Sequence, residues 1–368
     1  MNRMSLIIAA LFFCLGAPAH AWDEHAGLMS QMMDTNAAKS RSYLKNSVVI
    51  PSEDEQKKEI EILAKELDVN AEKIPTEKPG KLSIKDYLQG ELSGTATIDE
   101  PDMGMDQDLP DSTDPKNDRP WMGGKTGPTS QGYRHMFFPG IEWLSPIRTL
   151  QIPFRSIGQS PERILKIHAI SEKFMQDKNL YWALRTRLWE LHYVQDLHQP
   201  FHVMQVPYIR MLPWKDLFHG FVARSTQVVA NFHYAYEGLI RESVNEDHLS
   251  TLAPCFELPT SSAATPMNEQ VVHEIVVLAR NSARQIGIPL YQLWDKEMKD
   301  PTINLPEGMG ALDYYSYLHA NPEEENQKAA VAAVEDLLKT TCELMKHVSL
   351  LTFSELDQLM STSIITGK

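Results

Sequence analysis

Residues 180–202 of this chain read LYWALRTRLWELHYVQDLHQPFH. Apolar side chains recur at helical spacing through most of this stretch, which predicts an α-helix over Leu180–Leu197. Pro200 cannot continue a helix, and it biases Gln199 away from helical geometry. The chain is therefore expected to turn directly after this helix.

The same stretch is dense in side chains that bind metals. Three histidines and one aspartate lie within residues 192–202, in a chain that has 13 histidines. His192 and Asp196 are four residues apart near the end of the predicted helix, so they share one face. The turn can bring His202 back toward that face. Because imidazole and carboxylate groups together suit zinc, the stretch predicts a metal site.

A second pair of this kind follows in residues 231–237, which read NFHYAYE. His233 and Glu237 are again four residues apart on a predicted helix, a spacing that lets two side chains hold one ion. Alone, this spacing is also typical of solvated ion pairs. Beside the first motif, it indicates a second set of ligands.

The rest of the chain has helical periodicity over several long stretches. Further helices are predicted at Asp23–Met33, Glu53–Leu67, Glu162–Gln176, Phe218–Glu242, Glu269–Asp300, Pro322–Ser349 and Ser354–Met360. The sequence shows no alternating strand pattern with hairpin turns, no fixed-period repeat and no glycine-rich phosphate loop. The expected fold is all-α, a single multi-helix domain.

The N-terminal residues predict export. Ser5–Leu15 is an apolar run after a short basic start, and Ala19-His20-Ala21 fits the pattern that signal peptidase cleaves. The run is about half of the ~20 residues that a spanning helix needs. Residues 1–21 are therefore expected to be a signal peptide whose removal leaves Trp22 first, in a periplasmic or secreted protein.

The expected organisation has two parts after the signal peptide. Residues 22–260 would form the core, with a loop insertion at about 99–130, where Asp, Pro, Gly and Ser dominate and aliphatic residues are nearly absent. Residues 261–368 would add C-terminal helices that complete or extend this core.

Charge and cysteine content narrow the functional classes. The formal net charge of −14 argues against wholesale binding to nucleic acid or anionic lipid, since both need a positive surface. Only Cys255 and Cys342 would remain after cleavage, too few for a thiolate zinc site. A disulfide between them is allowed in an oxidising compartment.

The chain resembles the superfamily of zinc-dependent phospholipase C and S1–P1 nuclease. Three features carry the resemblance: the expected N-terminal Trp22, the H-x3-D-x-(H/N)-Q-P-x-H segment at His192–His202, and the later pair in Phe232-His-Tyr-Ala-Tyr-Glu237. The resemblance implies an all-helical fold in which up to three zinc ions share one cleft. It also implies that the backbone amine and carbonyl of Trp22 bind one ion, an amine that signal cleavage would free.

The resemblance further implies a ligand set for each ion. The three sets are Trp22, His25 and Asp196; His202, His233 and Glu237; and His192 with a bridging Asp196, an upstream histidine and an upstream aspartate. The resemblance implies His135 as the upstream histidine, because Tyr133-Arg-His-Met-Phe-Phe-Pro139 looks like the family's H-F-x-x-P segment.

The upstream aspartate follows from a similar match. Gly94-Thr-Ala-Thr-Ile-Asp99 resembles the family's G-(S/A)-x-x-(P/E)-D signature, which implies Asp99 as a ligand and as the catalytic carboxylate that orients or deprotonates water. Asp102 and Asp118 are alternatives in the same acidic stretch. His198 stands where the family has His or Asn, so it is expected to contact substrate or a neighbouring side chain rather than an ion.

The expected activity is metal-assisted phosphodiester hydrolysis. Phospholipase C acting on a phospholipid headgroup is the first hypothesis, since Glu237 resembles that branch and the apolar stretch Val206–Trp214 could border a lipid-facing rim. It implies transient contact with a membrane surface and no stable complex with nucleic acid. A single-strand nuclease or nucleotidase is the second hypothesis, because His198–Val203 resembles that branch equally well. A helical metal-binding protein without catalysis is the third.

Overall fold

The computed structural model describes residues 25–37, 41–92, 94–106, 134–144, 149–152, 156–216, 221–244, 253–258, 266–294, 298, 300 and 325–366. The expected signal peptide and Trp22 lie outside these residues. So do Asp118 and most of the loop predicted at 99–130. The described part is mostly helical, which confirms the all-α character predicted from the sequence.

In chain order, the helices of the described part are α1 (His25–Ala37), α2 (Glu53–Leu67), α3 (Ile84–Gln89), α4 (Ser160–Gln176), α5 (Leu180–His198), α6 (Pro200–Val203), α7 (Phe221–Val244), α8 (Glu269–Leu293) and α9 (Glu325–Thr366). The short helices α3 and α6 were not predicted, whereas α1, α2, α4, α5, α7 and α8 lie close to their predicted positions. None of them is both long and apolar enough to cross a membrane.

The C-terminal region differs from its prediction. Helices were expected at Pro322–Ser349 and Ser354–Met360, but the described residues of both, from Glu325 onward, lie within the single helix α9. The residues between them are Leu350-Leu-Thr-Phe353, which include no glycine or proline. Leu351 and Phe353 are buried in the core. Packing therefore continues the helix through this point.

Short strands also form, which the sequence did not predict. They pair in three antiparallel two-stranded sheets: β1 (Ser47–Ile50) with β2 (Gly80–Ser83), β3 (Phe137–Phe138) with β6 (Ile157–Gly158), and β4 (Ile141–Leu144) with β5 (Thr149–Ile152). Each has at most four residues, too few for alternation to stand out. Gly158 has φ +109, and a Cβ there would lie 1.9 Å from the Met136 carbonyl oxygen. Only glycine permits this close pairing beside His135.

Helix α5 lies at the centre of the protein. It starts after Asn179, whose side chain accepts a hydrogen bond from the Trp182 amide, and it ends at His198, with Gln199 as its C-cap before Pro200. All of its residues from Tyr181 to His198 are buried. Helices α4, α8 and α9 pack against it. One hydrophobic cluster runs from α1 to α9, so the C-terminal helices contribute to the same core as α5.

Arg187 of α5 is buried within a network of charged side chains. Its guanidinium lies 2.6 Å from Glu172 and 2.7 Å from Glu190, and it also contacts Glu355 of α9. His168 of α4 lies 2.6 Å from the same guanidinium. Because a buried charge is costly unless it is paired, this network ties α4 and α9 to the central helix.

A disulfide joins Cys255 to Cys342, the pairing that the sequence allowed. Cys255 lies in a short turn at Ala253–Phe256, and Cys342 lies in α9. The bond closes a loop with a sequence separation of 87 residues.

We expect the double variant Cys255→Ser/Cys342→Ser to lower the free energy of unfolding by about 2–5 kcal/mol, because a long loop is no longer closed in the unfolded chain. Urea unfolding followed by circular dichroism measures this change. A reductant should destabilise the wild-type protein and leave the double variant unaffected. Equal stability of the oxidised wild type and the variant would contradict the prediction.

Candidate metal centre

Side chains that can bind metal converge at the C-terminal end of α5. They come from α1, the 97–106 segment, the residues before β3, α5, α6 and α7, and they are His25, Asp102, His135, His192, Asp196, His202, His233 and Glu237. The side chain of Asp102 is 14% exposed, whereas Asp196 is fully buried. We call these eight residues the metal cluster.

Asp196 lies at the middle of the metal cluster. Its Oδ2 is 2.7 Å from His135 Nδ1 and 3.4 Å from His192 Nε2. Its Oδ1 is 3.3 Å from His202 Nδ1 and 3.7 Å from His25 Nε2. One carboxylate therefore faces four imidazoles, the placement that a bridging ligand requires.

The candidate ligand atoms form three groups, each with its atoms within 4.8 Å of one another. The groups are His25, His192 and Asp196; Asp102, His135 and His192; and His202, His233 and Glu237. Two ligand atoms on one tetrahedral zinc at ~2.0–2.1 Å are separated by roughly 3.3–3.5 Å. Each group is therefore compact enough for its ligand atoms to bind one ion.

The polar atoms of the cluster face one another in a way that suits cations. His192 Nε2 lies 3.0 Å from His135 Nδ1, and His202 Nε2 lies 3.1 Å from His233 Nε2. Within the described residues, the buried Asp196 Oδ1 has no hydrogen-bond partner. A proton shared between two of these ring nitrogens would satisfy both of them, but Asp196 Oδ1 would still lack a hydrogen-bond donor. Divalent cations with nitrogen and oxygen ligands fit the whole set.

The two histidine–carboxylate pairs that are four residues apart have their side chains close together, as the helical spacing predicted. The i, i+4 pair on α5 brings His192 Nε2 within 3.4 Å of Asp196 Oδ2. The pair on α7 brings His233 Nε2 within 2.5 Å of Glu237 Oε1. The turn at Pro200 returns His202 to the cluster on α6.

The upstream aspartate in the cluster is Asp102 rather than Asp99. Asp102 Oδ1 lies 3.6 Å from both His135 Nδ1 and His192 Nε2, and its Oδ2 lies 3.8 Å from His25 Nε2. Asp99 ends a short 3-10 turn and belongs to none of the ligand groups among the described residues. A wide turn at Pro101–Met105 follows, and it directs Asp102 to the histidines. The family signature in the sequence ends at Asp99, so it could not indicate that Asp102, three residues later, faces the histidines.

Gln195 orients His25, a role that the sequence did not indicate. Gln195 Oε1 lies 2.8 Å from His25 Nδ1 and accepts a hydrogen bond from its N–H, which leaves the Nε2 lone pair facing Asp196. Glutamine is common on exposed helix faces. Its burial here comes from the elements packed around α5, so no local pattern marks it.

The electrostatics of the cluster favour positive charge. Burial lowers the pKa of His135, but the charge of Asp196 and hydrogen bonds to Asp106 and Asp196 raise it to about 10. Burial holds the pKa of His192 well below its usual value, and His25 and His135 lower it further. A metal ion would compete with the proton on His135, so metal binding should weaken as the pH falls.

Two other histidines lie apart from the cluster. His198 is buried, 2.6 Å from the Val194 carbonyl oxygen and 2.8 Å from His347. It thus contacts neighbouring groups and belongs to none of the ligand groups among the described residues. His168 forms a ligand-type group with Glu190 and Glu355, but the guanidinium of Arg187 already supplies the positive charge there.

No family model, curated protein or solved structure matches this chain. Fold and site therefore define a class by geometry alone: a mostly helical protein with a buried histidine–carboxylate cluster that could hold several metal ions.

We expect Asp196→Asn to weaken binding of at least one metal ion by more than about 100-fold, since even a residue that only supports a ligand is worth 10–100-fold. Elemental analysis after dialysis against a metal buffer measures the retained zinc. The matched control is Glu190→Gln, a buried carboxylate on the same helix that contacts His168 and Arg187. Equal loss of zinc from both variants would contradict the assignment of the cluster.

Proposed function

We propose that this protein is a zinc-dependent phosphodiester hydrolase, with phospholipase C activity as its function. One observation carries the proposal: a single carboxylate, Asp196, joins ligand groups on both of its sides, so that several ions would lie within one cluster. Grouped ions suit phosphoryl transfer because they can act together on the attacking and leaving oxygens.

The charge of the cluster supports a phosphate substrate. With neutral imidazoles, its three carboxylates would offset half of the positive charge of three zinc ions. The loaded site would therefore be positive within a chain of net charge −14. An anionic phosphate ester is attracted to such a place.

Asp102 takes the catalytic role under this proposal. When bound, zinc lowers the pKa of water toward ~7 and stabilises charge on phosphoryl oxygens. The Asp102 side chain is 14% exposed, compared with 0% for Asp196 and 2% for Glu237. It is therefore the carboxylate of the cluster best placed to orient a solvent-derived water and to accept its proton.

Exposed apolar side chains favour a lipid substrate. Met103, next to Asp102, is 59% exposed. Trp214 is 39% exposed, although Val206, Met211 and Leu212 of the same apolar stretch are buried. Trp214 also supports a single-strand nuclease or nucleotidase as second candidate, because bases stack on aromatic side chains.

The proposal includes export and a role for the N-terminus. Removal of residues 1–21 would free the amine of Trp22, three residues before His25. An α-amino group loses its proton more readily than a lysine and can then bind metal. The group of His25, His192 and Asp196 would gain this further ligand.

The substrate test uses the zinc-loaded mature chain. We expect release of phosphocholine from phosphatidylcholine vesicles, and its loss after chelation. Degradation of single-stranded DNA or RNA instead would favour the second candidate. Zinc binding with neither activity would leave the third hypothesis, a metal-binding protein without catalysis.

Two aspartate variants test the catalytic residue. We expect Asp102→Asn to lower kcat by about 100-fold or more, the usual contribution of a general base. Asp99→Asn, at the position that the family signature implied, should lower kcat by a much smaller factor. The reverse order of effects in steady-state assays would return the catalytic role to Asp99.

A further inference from the structure

Asp106 is a buried carboxylate that the metal cluster does not include. It lies just after the turn at Pro101–Met105 and is fully buried. Its carboxylate is 2.6 Å from Arg163 and 3.1 Å from Arg134, and it accepts a hydrogen bond from the Tyr193 hydroxyl. The two arginines balance its charge.

The fourth neighbour of Asp106 is His135. Asp106 Oδ2 lies 3.1 Å from His135 Nε2, while the other ring nitrogen, Nδ1, lies 2.7 Å from Asp196 and 3.0 Å from His192. The His135 ring thus connects Asp106 to the other residues of the metal cluster.

Both nitrogens of the His135 ring face a carboxylate, Nδ1 at 2.7 Å from Asp196 and Nε2 at 3.1 Å from Asp106. A neutral imidazole has one nitrogen that donates and one that accepts. An ion bound at Nδ1 would replace a proton there, so the ring proton would lie on Nε2, where the Asp106 carboxylate can accept a hydrogen bond from it. A carboxylate in this position also makes the ligand nitrogen more basic.

We propose that Asp106 is a positioning residue of the metal centre, which holds His135 with Nδ1 directed at the ion that Asp102 and His192 share. This inference rests on the proposed metal-dependent function. Tyr193 and Arg163 hold the carboxylate in turn, and the Arg163 guanidinium lies 4.9 Å from the Tyr193 ring centre. Asp106 therefore links α4 and α5 to the metal cluster.

A purely structural role is the alternative, and Glu100 provides the matched control. Glu100 is also fully buried on the same segment. It lies 2.7 Å from Arg185, and it accepts a hydrogen bond from Trp189 Nε1 at 2.8 Å. Among the residues that the structure describes, no histidine of the metal cluster is within ion-pair distance of Glu100.

The experiment compares Asp106→Asn with Glu100→Gln in the zinc-loaded protein. Asparagine keeps the shape of the side chain but accepts more weakly, so we expect a 10–100-fold loss of affinity for one zinc equivalent in competition with a chelator. The visible spectrum of the Co²⁺-substituted protein should change as well. Glu100→Gln should lower the melting temperature without changing the zinc affinity or that spectrum.

Three outcomes overturn the inference. They are wild-type zinc affinity with an unchanged Co²⁺ spectrum in Asp106→Asn, an equal loss of zinc in Glu100→Gln, and weakening of every zinc equivalent alike. If Asp106→Asn does not fold, Tyr193→Phe removes one donor to Asp106 and should weaken the same zinc equivalent by about threefold or more. Unchanged affinity in that variant contradicts the inference.

The test separates this inference from the proposed function. Its readouts are metal affinity and a spectrum rather than hydrolysis. A zinc-binding wild type that hydrolyses no phosphodiester contradicts the proposed function alone. An active wild type with full zinc affinity in Asp106→Asn contradicts the positioning role alone.

Discussion

The structure depends on one constraint: helix α5 is buried on every side although it carries charged residues. A buried charge is costly unless another group compensates it. The surrounding elements supply that compensation. Glu100 pairs with Arg185, and Glu355 of α9 pairs with Arg187. The arrangement of the N-terminal segment and of the C-terminal helix thus follows from the side chains of one central helix.

The charges at the C-terminal end of α5 are compensated in a different way. Arg187 supplies a cation to the carboxylates of its own network. Around Asp196, the ion-pair partners in the described part of the chain are histidines, and no lysine or arginine nitrogen is among them. Three carboxylates and five imidazoles therefore converge in the metal cluster, and the ion pairs of its central carboxylate, Asp196, are with imidazoles within the described residues. This difference between two clusters on one helix is the physical reason why the residues around Asp196, rather than those around Glu190, are the candidate metal centre.

The carboxylates of the metal cluster also differ in their exposure to solvent. Asp196 and Glu237 are enclosed, whereas Asp102 is partly open to solvent beside the exposed Met103. Water and an anionic substrate would reach the centre from this side. The contacts of Gln195 and Asp106 lie behind the ligands and orient their rings. Among the three carboxylates of the metal cluster, the Asp102 side chain is therefore the most exposed, which is the arrangement that the proposed hydrolysis requires.

The sequence by itself determined the local part of the site. His192 with Asp196, and His233 with Glu237, follow from a spacing of four residues on a helix, and Pro200 accounts for the turn that returns His202. Tertiary structure alone placed Asp102, rather than Asp99, beside the histidines of the metal cluster, because the turn at Pro101–Met105 directs its side chain toward them. It also decided the roles of Gln195 and Asp106, whose partners in the cluster, His25 and His135, are distant in sequence. Helical periodicity in the sequence shows which residues share one face of a helix. Packing between segments that are distant in the sequence determines which of these faces contact one another.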